Sequence, residues 1–270
     1  MFLHLGFLTR KNGAPRILLL RQRWLAVGAA LSAAVVIFGA VNSPTAVRVS
    51  AAQRQLPIYC VERDQKICSI TFDAAWGADN TQRILDVLEK YQIKCTFFVV
   101  GNWADQNPTA AQAMAAAGQE LMNHSNAHGH YNSLSSQQLQ EDVTACNDKL
   151  TTLTGTPPTL IRCPYGEYDD HVISALRSMG MEPIQWDVDS LDWKGISAAE
   201  ITRRVTGKVK NGSILLFHNA GEHTPEALPD ILDYLLQEGY QMVPVSQLLL
   251  REESFIDHSG KQCAVKKHQQ

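Results

Sequence analysis

The sequence predicts an α/β protein, a distorted or incomplete (β/α)7 barrel carried behind an N-terminal membrane helix. Three observations carry that expectation. Short apolar runs alternate with amphipathic stretches over most of the chain. Several of those stretches close on a glycine (Gly118, Gly155, Gly180, Gly239), the residue that ends a helix in a left-handed turn. A basic cluster precedes a long uncharged apolar run near the N-terminus.

That run comes first. Arg10, Lys11, Arg16, Arg21 and Arg23 mark residues 1–23 as a basic, cytoplasmic segment, and Trp24 to Val41 follow with no charge. Eighteen residues in a helix reach about 27 Å, close to the hydrocarbon thickness of a bilayer. Residues 24–41 therefore read as a single-pass anchor, with the body on the extracytoplasmic side of the cell membrane. Val49-Ser50-Ala51 has the small residues of a signal cleavage site, which would release the body as a secreted protein, but it lies some way beyond the apolar run. Residues 42–65 read as a linker.

Charge excludes some partners. Residues 1–61 hold seven of the 24 Lys and Arg and none of the 27 Asp and Glu. The remaining 209 residues thus carry 17 basic against 27 acidic groups, a net −10. Such a body repels a polyanion, so nucleic acid is not expected as a partner. The six cysteines form no CxxC pair, which disfavours a thiolate zinc site, and no disulfide is assigned.

Strands are expected at Cys68–Asp73, Cys95–Val100, Glu120–Asn123, Leu160–Cys163, Pro183–Val188, Ser213–Phe217 and Tyr240–Val245. Helices are expected at Thr81–Tyr91, Pro108–Ala117, Gln137–Leu153, Val172–Met179, Ala198–Lys208 and Pro225–Glu238. This alternation implies parallel strands joined by right-handed crossovers. Seven units favour a barrel over an open doubly wound sheet, and no Gly-rich phosphate loop follows the first strand. Residues 251–270 read as a polar tail.

The chemistry gathers at strand ends. Asn123-His124-Ser125-Asn126-Ala127-His128-Gly129-His130 places three of nine histidines in seven residues. A helical turn would put His124 and His128 side by side, as a metal pair needs. Asp73, Arg162, Asp189 and His218 fall at or just after the ends of four other strands, where parallel barrels build their active sites. Each alone has an ordinary structural explanation; together they point to a site.

In chain order, Thr71-Phe72-Asp73, His124-Ser125-Asn126-Ala127-His128, Arg162-Cys163-Pro164-Tyr165-Gly166, Asp189-Ser190-Leu191-Asp192-Trp193 and Leu215-Leu216-Phe217-His218 resemble the five motifs of the polysaccharide deacetylases, the NodB homology domain of carbohydrate esterase family 4. The resemblance covers residues 66–250. The form Asp73-Ala74-Ala75-Trp76-Gly77 and the N-terminal segment look most like the sporulation-associated, membrane-anchored branch. The resemblance implies hydrolysis of N-acetyl groups on an amino-sugar glycan, peptidoglycan or a chitin-like polymer. By the same resemblance, a divalent metal, zinc or cobalt, is held by His124 and His128. Asp73 is implied as base, Arg162 as its ion partner, His218 as acid and Asp192 as the carboxylate that orients it. Tyr165, Trp193 and Leu216 are implied in substrate binding, with the backbone N–H of Tyr165 facing the oxyanion.

One departure stands out. The family has a second Asp, a metal ligand, where this chain has Ala74. Asp79 or His130 as a substitute ligand, or Asp73 itself as one, are the alternatives this leaves. Two further readings follow: a non-catalytic glycan-binding protein of the same fold, and an amidase of small molecules.

Overall fold

The computed structural model describes residues 4–9, 15–19, 22–41 and 54–265. The chain divides into two units, Met1–Arg54 and Gln55–Gln270. In the first, strands β1 (His4–Thr9) and β2 (Pro15–Leu19) pair antiparallel, and α1 spans Gln22–Val41. The expected anchor at 24–41 lies inside α1, and Val27, Leu31, Val35, Val36 and Ile37 on it are exposed. Among the described residues, no helix is long and apolar enough to cross a membrane. The cleavage-like stretch Val49–Ala51 lies outside the described residues.

The second unit opens with β3 (Cys60–Val61) and β4 (Ile67–Ala74), then α2 (Thr81–Lys90) and β5 (Thr96–Val99). Helices α3 (Gly101–Gln106) and α4 (Pro108–Ala116) lead to β6 (Glu120–Asn123). Next come α5 (Ser136–Thr154), β7 (Leu160–Ile161), α6 (Asp170–Ser178), β8 (Glu182–Pro183), β9 (Val188–Asp189) and α7 (Ala198–Thr206). The chain closes with β10 (Ile214–His218), α8 (Thr224–Gln237), β11 (Gln241–Met242), α9 (Val245–Leu248), β12 (Ser254–Ile256) and β13 (Lys261–Ala264).

The main sheet has eight strands, in the order β8-β7-β6-β5-β4-β10-β9, with β11 also paired to β4. Every pair in it is parallel, so the sheet curls into an open barrel of the expected class. Its first and last strands do not meet. A segment from the expected linker lies along that gap instead, with Ile58 bridged to Ile184 and Cys60 to Ser213.

Strand alternation sorts the core into two layers. On β4, Cys68, Ile70, Phe72 and Ala74 face the helices and join Ile84, Leu88, Phe97, Leu228 and Leu232 in one apolar cluster. Ser69, Thr71 and Asp73 turn the other way and are buried too, so the strand is covered on both faces and its polar face looks into the curl. Phe98, Met122, Leu160 and Ile214 fill the lower interior of the curl. Helix ends follow the expected chemistry: capping boxes at Ser135 and Ser197 start α5 and α7, and Gly155 closes α5 at φ 73°.

Two expectations are corrected. Pro183–Val188 is not one strand. It is β8 and β9 at opposite edges of the sheet, because Gln185 N bonds to Ile58 O while Leu215 and Leu216 of β10 pair with Val188 and Asp189. Residues 251–265 are no tail: β12 pairs antiparallel with β13, and β13 pairs with β3, burying Cys263.

Candidate active site

The C-terminal ends of β4, β6, β7, β9 and β10 deliver the expected side chains to one cavity of about 640 Å³. Asp73, His124, His128, Tyr165, Trp193, Leu216 and His218 line it, with Trp76, Gly166, Trp186 and Asp189. The register makes Asp73 and His218 direct neighbours on adjacent strands. Arg162 and Asp192 sit behind the wall, fully buried, and act on the lining residues.

Arg162 is the pivot of one side. Its Nη1 donates to Asp73 Oδ1 at 2.6 Å and to Thr71 Oγ1 at 3.0 Å, and Nη2 donates to Gln185 O at 3.1 Å. The guanidinium also stacks 4.1 Å from the centre of the Phe98 ring, while Nε finds no partner among the described residues. Burial alone would raise the Asp73 pKa. The charge and hydrogen bond of Arg162, helped by His218, outweigh it, so the carboxyl is held below its ordinary range.

His124 Nδ1 donates to the Arg162 carbonyl at 2.7 Å, which fixes the tautomer and leaves Nε2 as the lone-pair nitrogen. That Nε2 lies 3.5 Å from Asp73 Oδ2. His128 is brought close by a loop, not by the helical turn expected. Ser125 and His128 adopt φ 70° and 55°, and the two imidazoles meet edge to face with centroids 5.0 Å apart. Asp142 holds this loop by accepting Asn126 N, Ala127 N and the Tyr131 hydroxyl. Burial lowers the pKa of both imidazoles, that of His128 to about 4, so both are neutral at neutral pH.

The residues present do not fit a catalytic zinc centre, which takes three protein ligands plus water. Ala74 is fully buried in the apolar layer and offers no donor. His130 stacks on Tyr165 with centroids 4.4 Å apart and pairs with Glu167 at 2.8 Å. Asp79 is exposed and does not line the cavity, so neither proposed substitute is in place. Among the described residues, no group of three or more His, Cys, Asp or Glu is gathered to hold a metal ion.

The other side is fully built. His218 Nδ1 donates to Asp192 Oδ1 at 2.7 Å, and Asp192 Oδ2 accepts from His218 N at 2.8 Å and Thr224 Oγ1 at 2.7 Å. Gly221 is required there, since a Cβ would sit 2.1 Å from Thr224 Oγ1 and 2.7 Å from Asp192 Oδ2. Burial pulls the His218 pKa down, but the Asp192 hydrogen bond and charge more than offset it, so the imidazole titrates above 6.5. Sequence reasoning missed Thr224, Gly221, Asp142 and Trp76. Only the position of Gly221 three residues after His218 gave a hint, because a close backbone approach often needs glycine.

A family model for polysaccharide deacetylases matches residues 61–184. The peptidoglycan-N-acetylmuramic acid deacetylase PdaC of Bacillus subtilis is 34% identical over 188 residues, which is 70% of this chain and 40% of PdaC. A peptidoglycan-N-acetylglucosamine deacetylase of Bacillus cereus is 31% identical over 194 residues, 70% of this chain and 91% of that protein. Among solved structures, BA3943 from Bacillus anthracis, described as a pseudoenzyme of carbohydrate esterase family 4, matches with TM-score 0.69 and 31% identity. The match covers 71% of this chain and 68% of BA3943. A mutant of BA3943, described as having restored enzymatic activity, matches equally well.

Proposed function

This chain belongs to the polysaccharide deacetylase family, and on that premise we propose that it is an amide hydrolase that removes N-acetyl groups from an amino-sugar glycan, peptidoglycan in the first place. The observation that carries the reading is the His218–Asp192 pair, buried and saturated with hydrogen bonds, opposite a carboxylate held ionised by Arg162. A protein that only binds glycan has no use for an acid and a base set at neighbouring strand ends.

The chemistry follows from atoms. Asp73 Oδ1 is tied to Arg162, so Oδ2 is the oxygen left to take a proton from water. The resulting hydroxide adds to the acetamide carbonyl. Asp192 holds His218 Nδ1, so Nε2 faces the cavity and gives its proton to the sugar nitrogen as the C–N bond breaks. Acetate and a free amine leave. Leu216 and Trp193 supply apolar wall for the acetyl methyl, and Tyr165 borders the same space. The body belongs outside the cytoplasm, tethered through residues 24–41, a placement supported by the basic flank and the exposed apolar side chains of α1.

Ala74 favours a second reading: a cleft that binds glycan without cleaving it. The related pseudoenzyme BA3943 lends it weight. Acetate release from purified peptidoglycan, with and without added zinc or cobalt, separates the two. Release that is abolished in His218→Ala supports the hydrolase, and glycan binding without any release supports the second reading.

A further inference from the structure

Among the described residues of the second unit, four aromatic side chains are at least 46% exposed: Trp76, Tyr165, Trp193 and Phe255. Three of them line the same cavity. Exposed aromatics gathered at one mouth are the usual mark of a binding surface, since scattered ones need no explanation.

Sheet order decides how two of them stand. Trp76 follows β4, Trp193 follows β9, and β10 with His218 at its end lies between those strands. Neighbouring strands are about 4.8 Å apart, so β4 and β9 are separated by roughly 9–10 Å. Both indoles line the cavity, from strands on either side of the one that ends in His218.

Trp76 is set in advance. Its indole lies 5.0 Å from the His218 imidazole at a 38° tilt. The next residue, Gly77, has φ 52°, and its carbonyl accepts both Trp103 Nε1 at 2.8 Å and Asn219 Nδ2 at 3.1 Å. The loop is thus pinned from two sides although the indole itself is half in solvent. Lys194 Nζ lies 4.9 Å from the centre of the Trp193 ring, and the indole borders the cavity. Asp189 at the cavity wall adds an acceptor suited to sugar hydroxyls.

We propose that Trp76 and Trp193 are paired indole walls that hold one pyranose ring of the glycan against His218, and that Trp76 is a substrate-binding residue of this cleft. The assignment rests on the glycan reading above. The C–H faces of a pyranose pack on aromatic rings, and its equatorial hydroxyls point outward to groups such as Asp189. No residue implied by the family motifs supplies the first of these walls.

The test is binding, not turnover. A tetramer of N-acetylglucosamine and an N-acetylglucosamine–N-acetylmuramic acid tetrasaccharide are each titrated into the full chain by calorimetry, with tryptophan fluorescence in parallel. Trp76→Ala is expected to weaken binding about 10-fold, Trp76→Phe about threefold or less, and Phe255→Ala not at all. Circular dichroism checks that the exposed substitutions leave the fold intact. Binding by Trp76→Ala within about twofold of wild type overturns the indole walls and leaves the glycan reading standing. A wild type that binds neither tetrasaccharide overturns the glycan reading and the proposal with it.

Discussion

The two sides of the cleft differ in completeness. On the β9–β10 side every polar atom of Asp192 and His218 that faces inward has a partner, down to a glycine left bare to let Thr224 approach. On the β4–β6 side Asp73, Arg162 and His124 are also held by hydrogen bonds, with Arg162 Nε left over among the described residues, and the ligand set stops at two imidazoles because position 74 is alanine. A site decaying at random would lose hydrogen bonds on both sides. Here the proton-transfer parts are intact and only the ligand count is short, which makes the fate of the β4–β6 side the question worth breaking open.

The largest effect is expected where the two sides share a charge. Arg162→Leu removes the cation that holds Asp73 ionised at full burial, so the carboxylate must protonate or stay unpaired. Such a break costs about 3–5 kcal/mol. Urea denaturation near pH 7 reads it, and the double variant Arg162→Leu with Asp73→Asn should recover much of the loss. Equal stability of wild type and Arg162→Leu would mean that this ion pair carries no structural weight.

Next comes the complete side alone. His218→Ala should leave the fold intact and lower acetate release about 10²–10⁴-fold, the usual worth of general acid help. Steady-state rates on peptidoglycan fragments measure it. Turnover unchanged in this variant would assign the acid to another group and remove the reason for keeping this side so well ordered.

The incomplete side is sharpened by Ala74→Asp. Ala74 lies in the apolar layer but ends β4 beside Asp73, so an added carboxylate is expected to turn toward the cavity bordered by Asp73, His124 and His128, where a metal ion would balance its charge. We expect zinc affinity to rise about 10-fold or more as the third protein ligand is supplied. If the side chain instead stays in the apolar layer with Phe72 and Val99, the variant loses stability and gains no affinity. Metal titration against wild type and His124→Ala separates these results.

Much of this was legible in the sequence, for definite reasons. The strands of the curl are short apolar runs buried on both faces, and their ends carry polar residues that no core would tolerate without a purpose, so Asp73, His124, Arg162 and His218 stood out. The residues that position them did not. Thr224 and Asp142 are ordinary helix residues until the fold brings Asp192 and the histidine loop against them. The split of Pro183–Val188 was hidden as well, because which edge a two-residue strand joins depends on Ile58, far away in sequence. His124 and His128 suggested a helix by spacing alone, whereas the positive φ of Ser125 and His128 makes a loop do the same work.

The smallest expected effect is a shift along the pH axis, and it tests whether the complete side works as a proton donor. The His218 pKa lies above its ordinary value of 6.5; burial opposes this, and the hydrogen bond and charge of Asp192 prevail. A raised folded-state pKa has two consequences with the same sign. The imidazolium stabilises the fold fully below the unfolded-state pKa, and that share is lost as pH rises through the folded-state value. Activity that needs the protonated acid falls over the same window. Asp73, whose pKa is lowered, behaves oppositely: its stabilisation is present above 3.8 and is lost as pH falls through its folded-state value. The rate profile should therefore be a bell with its alkaline limb set by His218. Asp192→Asn removes the charge that raises this pKa, so the alkaline limb should move to lower pH while the acid limb, set by Asp73, stays in place. The acid limb lies below 3.8, so rates measured from pH 5 to 10 in both proteins read the alkaline limb alone, and one that does not move would show that His218 is not the group titrating there.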